Sequence, residues 1–137
     1  MWMLDTNIVS YYFRGVPAVH ARLMQRSPAD VAVSAVVVYE LKSGLLRLAD
    51  GAARRGRLSA LEAFLSALTV VAFDESAADE AARIASALAM QGTPIGPHDV
   101  MIAATACARR ATLVTHNTRE FGRVPDLTIE DWVAPTA

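Results

Sequence analysis

Apolar positions along the chain fall into short runs, separated by longer stretches where they recur at helical spacing. Residues 1–4 form the first run and read as a short buried strand. The stretch 6–13 predicts a helix that stops before Gly15, and Pro17 suits the first turn of a second helix reaching about Gln25. Val31, Ala32 and Val33 form a strand candidate. From Ala35 to Leu48, the residues Val37, Leu41, Gly44, Leu45 and Leu48 recur at a period near 3.6, which predicts a helix. Another is expected from Leu58 to Leu68. Thr69 to Phe73 is β-branched and apolar, hence a strand. Ala77 to Met90 reads as a helix closed by Gly92 and Pro94, and Pro97 opens the next. Ala111 to Thr115 is a buried strand, a short helix starts near Asn117, and Leu127 to Ile129 is a last small strand.

Short apolar strands that alternate with helices imply an α/β fold: a parallel sheet with helices on both faces. Ligands of such sheets bind beyond the carboxyl ends of the strands. Asp5 and Asn117 each follow a predicted strand, which puts both on that edge. With 137 residues, no repeat and no long linker, one domain spanning 1–137 is expected. Hydrophobic residues at 53% and charged residues at 20% exclude general disorder. No apolar stretch approaches the ~20 residues of a membrane span. The first residues show neither a basic leader nor an apolar signal core, so a cytoplasmic location is expected. The single cysteine, Cys107, lies in an alanine-rich run and reads as a small buried thiol.

Acidic residues punctuate these apolar segments, and each has an ordinary explanation. Asp5-Thr6-Asn7 can cap a helix. Glu40 lies on the shoulder of the Val37/Leu41/Gly44/Leu48 stripe, where it either pairs along the helix surface with Arg47 or meets a buried partner. Asp99 falls in the first turn of its helix, facing the positive end of the macrodipole. Asn117-Thr118-Arg119-Glu120 has the spacing of a capping box. Together, however, those explanations must place four such groups independently, two of them at a common sheet edge. If Asp5, Glu40 and Asp99 converge, two carboxylates ~4 Å apart repel by about 4 kcal/mol at an effective dielectric near 20. One then holds a proton unless a cation intervenes. Oxygen ligands select a hard ion such as magnesium, whereas the one cysteine and three scattered histidines offer no zinc spacing.

Four segments now resemble a known family. Leu4-Asp5-Thr6-Asn7, Ser34 through Leu41 (Ser-Ala-Val-Val-Val-Tyr-Glu-Leu), Pro94-Ile95-Gly96-Pro97-His98-Asp99, and Leu113 through Phe121 are similar, in that order, to the four motifs of PIN-domain ribonucleases. The closing Leu127 to Trp132 resembles the VapC toxins of bacterial toxin–antitoxin pairs. The resemblance implies an α/β/α sandwich and a magnesium-dependent endoribonuclease, with manganese as a substitute. It implies structured RNA such as tRNA as substrate, a VapB-type antitoxin as inhibitor, and a homodimer. Asp5, Glu40 and Asp99 map onto the acidic triad that holds the metal. Thr6 and Ser34 map onto small hydroxyl positions, with Asn7 and Thr115 in supporting places. Asn117 stands where an aspartate is frequent, so either its amide acts through water or Glu120 supplies the charge.

The formal charge of −1 does not announce a nucleic-acid partner, but the distribution is informative. Of thirteen basic residues only Lys42 is a lysine, and Arg54, Arg55 and Arg57 cluster in what reads as one short turn. They are candidate phosphate contacts, or else part of a solvated loop. His98 and His116 could act as a metal-free acid/base pair. A phosphoacceptor receiver also gathers aspartates at a sheet edge but needs a lysine near the last strands. A non-catalytic acidic metal-binding module is a further alternative.

Overall fold

A computed structural model describes residues 1–133; the last four residues of the expected 1–137 unit lie outside the described residues. The strands are β1 (Trp2–Leu4), β2 (Val31–Ser34), β3 (Thr69–Val71), β4 (Thr112–Val114) and β5 (Ile129–Glu130). The helices are α1 (Thr6–Phe13), α2 (Pro17–Met24), α3 (Ala35–Leu46), α4 (Ala52–Ser66), α5 (Glu75–Met90), α6 (Pro97–Ala108) and α7 (Thr118–Phe121), with a 3-10 turn at Pro28–Asp30. The strand order is β3-β2-β1-β4-β5 and every pair is parallel. The central strands read as continuous apolar runs because both faces are covered; Met3, Leu4, Val31, Ala32, Val33, Leu113 and Val114 are all buried.

This order has a direct consequence. From β1 the chain builds outward to β2 and β3, then returns past β1 to add β4 and β5 on the other side. The reversal lies between β1 and β4, and crevices form at the carboxyl ends of such a pair. Asp5 leaves β1 at this point, its backbone N–H donating to the Val114 carbonyl at 2.8 Å. Thr115, His116 and Asn117 leave β4 beside it.

Several expected boundaries differ from the structure by one or more residues, three of them informatively. The helix expected at Leu58–Leu68 is α4, which begins six residues earlier at Ala52. The arginine cluster was expected in a short turn, but the helix-interior Gly56 costs only about 1 kcal/mol, and the surrounding alanines, arginines and leucines are strong helix formers. Arg54, Arg55 and Arg57 are therefore helical. The strand expected at Thr69–Phe73 ends at Val71, where its partner β2 ends in the Ser34–Val71 pairing. The last strand is displaced to Ile129–Glu130, after a turn in which Asp126 adopts φ 63°.

At the far edge, Glu130 of β5 gathers an unusual cluster. The indole N–H groups of Trp2 and Trp132 donate to its two oxygens at 2.9 and 3.3 Å. The Arg26 guanidinium lies 4.4 Å from one indole ring and 4.6 Å from the other. Trp132 is fully buried, so this cluster fastens the chain's last described turn to β1 and α2.

Candidate active site

Asp5 is buried at the switch point and does two structural jobs. Its Oδ1 accepts the Thr6 N–H at 2.8 Å, capping α1 as the sequence suggested. Its Oδ2 accepts the Thr115 hydroxyl at 2.8 Å, and the same Thr115 oxygen accepts the Asn117 N–H at 3.0 Å. The end of β1 and the end of β4 are thereby tied through one fully buried hydroxyl. Burial pushes the Asp5 carboxyl up; the bonds from Thr115 and Thr6 oppose the rise, and the Glu40 charge adds to it.

Glu40 comes from the middle of α3. Arg47 is not its partner. One oxygen accepts the Thr6 hydroxyl at 2.6 Å, and the other lies 3.5 Å from His98 Nδ1 on α6. Asp99 stands in the first turn of α6, at the position that favours an acid. Among the described residues nothing donates a hydrogen bond to it. Its carboxyl is pushed up to about 6, first by desolvation, then by the charges of Asp5, Glu40 and Glu120, with His98 opposing. Acids from four segments thus share one electrostatic field.

Asp5, Glu40, Asp99 and Asn117 line a common cavity of about 360 Å³ with Asn7 and Arg14. Among the described residues no three acidic, histidine or cysteine side chains close into a ready-made ion cage. The two observations are compatible, because carboxylates that repel one another settle around a shared space and not at its centre. The donor set is all oxygen, Asp99 keeps both oxygens free of donors, and the site's dominant electrostatic defect is excess negative charge. These features fit a hard divalent cation held by Asp5, Glu40 and Asp99.

The fourth position differs from a capping box. Asn117 precedes α7 without a side-chain cap, and its amide instead donates to Glu120 at 3.3 Å. Thr115 has taken the role that Glu120 was expected to fill, bonding the Asn117 N–H. Asn117 thus lines the cavity, while Glu120 stands behind it and reaches Asp99 through its charge. Ser34 is buried and caps α3, its Oγ accepting the Val37 N–H at 3.1 Å, away from the cavity lining. Asn7 lines the cavity and accepts the His116 N–H at 3.4 Å.

His98 and His116 do not form a pair. His98 faces Glu40, whereas His116 Nδ1 lies 2.9 Å from Asp131 and its ring meets Tyr11 edge-on. Lys42, the lysine a receiver would need, is engaged by Glu62 on α4. Cys107 is half-buried, and burial pushes its thiol up, which suppresses the reactive thiolate.

The three arginines separate in role. Arg54 and Arg55 both turn to Asp50, at 3.1 and 3.9 Å. Arg57 has no acidic partner among the described residues and lines a groove of about 650 Å³ between α1, α3 and α4. Arg14, missed from sequence, lines both this groove and the carboxylate cavity. A signal existed: Asn7, Ser10, Tyr11 and Arg14 recur at i, i+3, i+4 and i+7, a polar stripe on an otherwise apolar helix.

With this geometry in place, comparison with known proteins is decisive. The PIN domain pattern matches residues 2–127. The chain belongs to the PIN-domain family. It is 35% identical to the tRNA(fMet)-specific endonuclease VapC of Salmonella typhimurium over 96% of this chain and 97% of that protein. It is 34% identical to ribonuclease VapC1 of Haemophilus influenzae, covering 96% and 98%. Its fold superposes on the crystal structure of VapBC2 from Rickettsia felis bound to a promoter DNA fragment, with TM-score 0.87, 32% identity, and 96% and 98% coverage. Within the PIN-domain family it therefore belongs with the VapC ribonucleases. The all-parallel sheet and the seven helices of the described residues are those of this PIN fold. No helix among the described residues is long and apolar enough to cross a membrane.

Proposed function

We propose that this PIN-domain protein is the toxin of a toxin–antitoxin pair and hydrolyses phosphodiester bonds of structured RNA, with tRNA as the first candidate. The observation that carries this reading is the shared cavity of Asp5, Glu40, Asp99 and Asn117, in which burial first, and then the charges of the neighbouring acids, raise Asp99 to about 6. Asp5, Glu40 and Asp99 would hold a divalent ion, magnesium by preference and manganese as a substitute. Such an ion supplies charge neutralisation and acidifies water at neutral pH.

The chain's own groups do the rest. Thr115 fixes the Asp5 carboxylate and Thr6 fixes Glu40, so both acids present set oxygens to the cavity. The Asn117 amide, steadied by Glu120, has a second N–H able to donate to a phosphoryl oxygen. Arg14 at the cavity wall and Arg57 along the adjoining groove offer bidentate contacts to flanking phosphates. They offset the repulsion between a polyanion and an acidic cleft. With water as the nucleophile, cleavage leaves a 5′-phosphate and a 3′-hydroxyl.

A VapB-type antitoxin is the proposed partner, in line with the Rickettsia felis complex. Its candidate docking surface is the apolar groove of about 600 Å³ where Tyr12, Phe13, Leu23, Met24 and Phe64 meet. A homodimer is proposed alongside it. The deciding experiment digests total tRNA with the purified protein in Mg²⁺ and in EDTA, followed by end-group analysis. Cleavage only with metal, leaving 5′-phosphates, is expected. Undiminished cleavage in EDTA, or 2′,3′-cyclic phosphate ends, would overturn the mechanism.

A further inference from the structure

An aromatic pair stands beside the carboxylates that no step above uses. Tyr39 immediately precedes Glu40 on α3 and is 57% exposed, among the most open large side chains of the molecule. Its ring meets the His98 ring at a centroid distance of 5.4 Å and an interplanar angle of 90°. His98 in turn lies 3.5 Å from the second oxygen of Glu40 and directly precedes Asp99 on α6. One end of this edge-to-face pair is thus fixed by the site itself, while the other projects into solvent. Tyr39 is absent from the apolar cluster that builds the core, so packing does not explain its position.

We propose that Tyr39, braced by His98, is a stacking platform for one nucleobase of the RNA, a positioning and selectivity element beside the scissile phosphate. The inference rests on the ribonuclease reading above and adds the group that places the substrate. The chemistry favours a base over other occupants. An RNA strand entering this cleft brings phosphates toward three carboxylates, so phosphate binding at the centre depends on the ion and on Arg14 to offset their charge. A base offers a neutral π-face, which stacks on an aromatic ring whatever the local charge. More than half of the residue is exposed, which gives open aromatic surface for such contact. A base splayed onto Tyr39 would leave its own phosphate near the mouth of the carboxylate cavity, because Glu40 is the next residue along α3.

The test uses the full chain carrying Asp99→Asn to prevent cleavage, titrated with tRNA-derived RNA hairpins that the native sequence cleaves, bearing 2-aminopurine at successive loop positions. One position is expected to lose fluorescence on binding. Tyr39→Ala should abolish quenching at that position alone and weaken binding roughly 5- to 150-fold, the range for loss of one base–aromatic stack. Tyr39→Trp should restore both, with the melting temperature unchanged throughout. In parallel, the protein with its native Asp99 and its Tyr39→Ala counterpart are assayed for cleavage of the unlabelled hairpins. Unchanged affinity, quenching and KM in the Tyr39→Ala protein, with cleavage intact, would overturn the platform and leave the ribonuclease reading standing. Absence of both binding and cleavage of total tRNA and of the hairpins by the native sequence in Mg²⁺ would overturn the ribonuclease reading and the platform with it.

Discussion

Replacing Asp99 by asparagine should stabilise the metal-free protein while abolishing its activity. Asp99 receives no hydrogen bond from the described residues, and its carboxyl is raised from 3.8 to about 6 by burial and neighbouring acids. At ~1.36 kcal/mol per pH unit this displacement corresponds to about 3 kcal/mol. The group is only half-buried, so solvent screening reduces the effective figure to about 1.5 kcal/mol. Asparagine also forfeits part of the ~0.3–1 kcal/mol that an acid gains in a helix first turn. A net gain of roughly 1 kcal/mol remains, or roughly 3–4 °C in melting temperature for a chain of this length. The pH dependence gives the sign. A raised folded-state value means that Asp99 favours folding below about 3.8, and that this contribution is lost as pH climbs toward 6. The variant and the parent should therefore melt alike near pH 4 and diverge through pH 6, then stay separated. Added Mg²⁺ should raise the parent's melting temperature and not the variant's. Thermal melts in EDTA across this range provide the assay. A variant less stable than the parent at pH 7, or a difference that does not vary with pH, would refute the electrostatic account.

Two further outcomes follow from the arginines and from α7. Arg57→Ala should lower the salt dependence of RNA binding by about one phosphate contact, whereas Arg55→Ala should leave the slope unchanged because that side chain turns to Asp50; equal slopes for both would dismiss the groove as the phosphate path. Gly122→Ala would place a Cβ 2.6 Å from the Thr118 carbonyl oxygen, so α7 must shift. A loss of about 1–3 kcal/mol is expected on chemical denaturation, together with weakened activity because α7 begins beside Asn117; a neutral result would show that this turn is not held tightly.

How much of this was legible in the chain depends on whether the determining signal was local. The alternation of strands and helices was local, and the placement of Asp5 and Asn117 just after β1 and β4 came from that alternation alone. Asp99 in a helix first turn was legible for the same reason. Pairings across elements were not. Nothing along α3 indicates that Glu40 meets Thr6 and His98, or that Tyr39 meets His98, because these contacts arise from how α1, α3 and α6 pack. The capping-box spacing at Asn117 to Glu120 was a local signal that tertiary structure overrode, since Thr115 bonds the Asn117 N–H instead. The turn expected at Arg54, Arg55 and Arg57 erred in the opposite sense, since the helix α4 begins at Ala52 and takes in all three. Arg14 was legible in principle as the last member of a polar stripe, but only once α1 was known to face a cavity.

The same interlocking decides which acid can be neutralised cleanly. Asp5 looks interchangeable with Asp99 as a target, yet it is a joint of the fold. Asparagine at position 5 can still cap α1 through its carbonyl oxygen. Its amide nitrogen, however, would face Thr115, whose hydroxyl now donates to Asp5 and accepts from the Asn117 N–H. The hydroxyl can accept a second bond, but its own proton then has no partner in a fully buried position. An orphaned buried donor costs about 1–3 kcal/mol, enough to cancel the gain from removing a carboxylate that burial already disfavours. Asp5→Asn should therefore melt at or below the parent temperature at pH 7, where Asp99→Asn melts above it, although both lose cleavage. A stabilisation by Asp5→Asn equal to that of Asp99→Asn would show that Thr115 does not couple β1 to β4 in the way its two hydrogen bonds indicate.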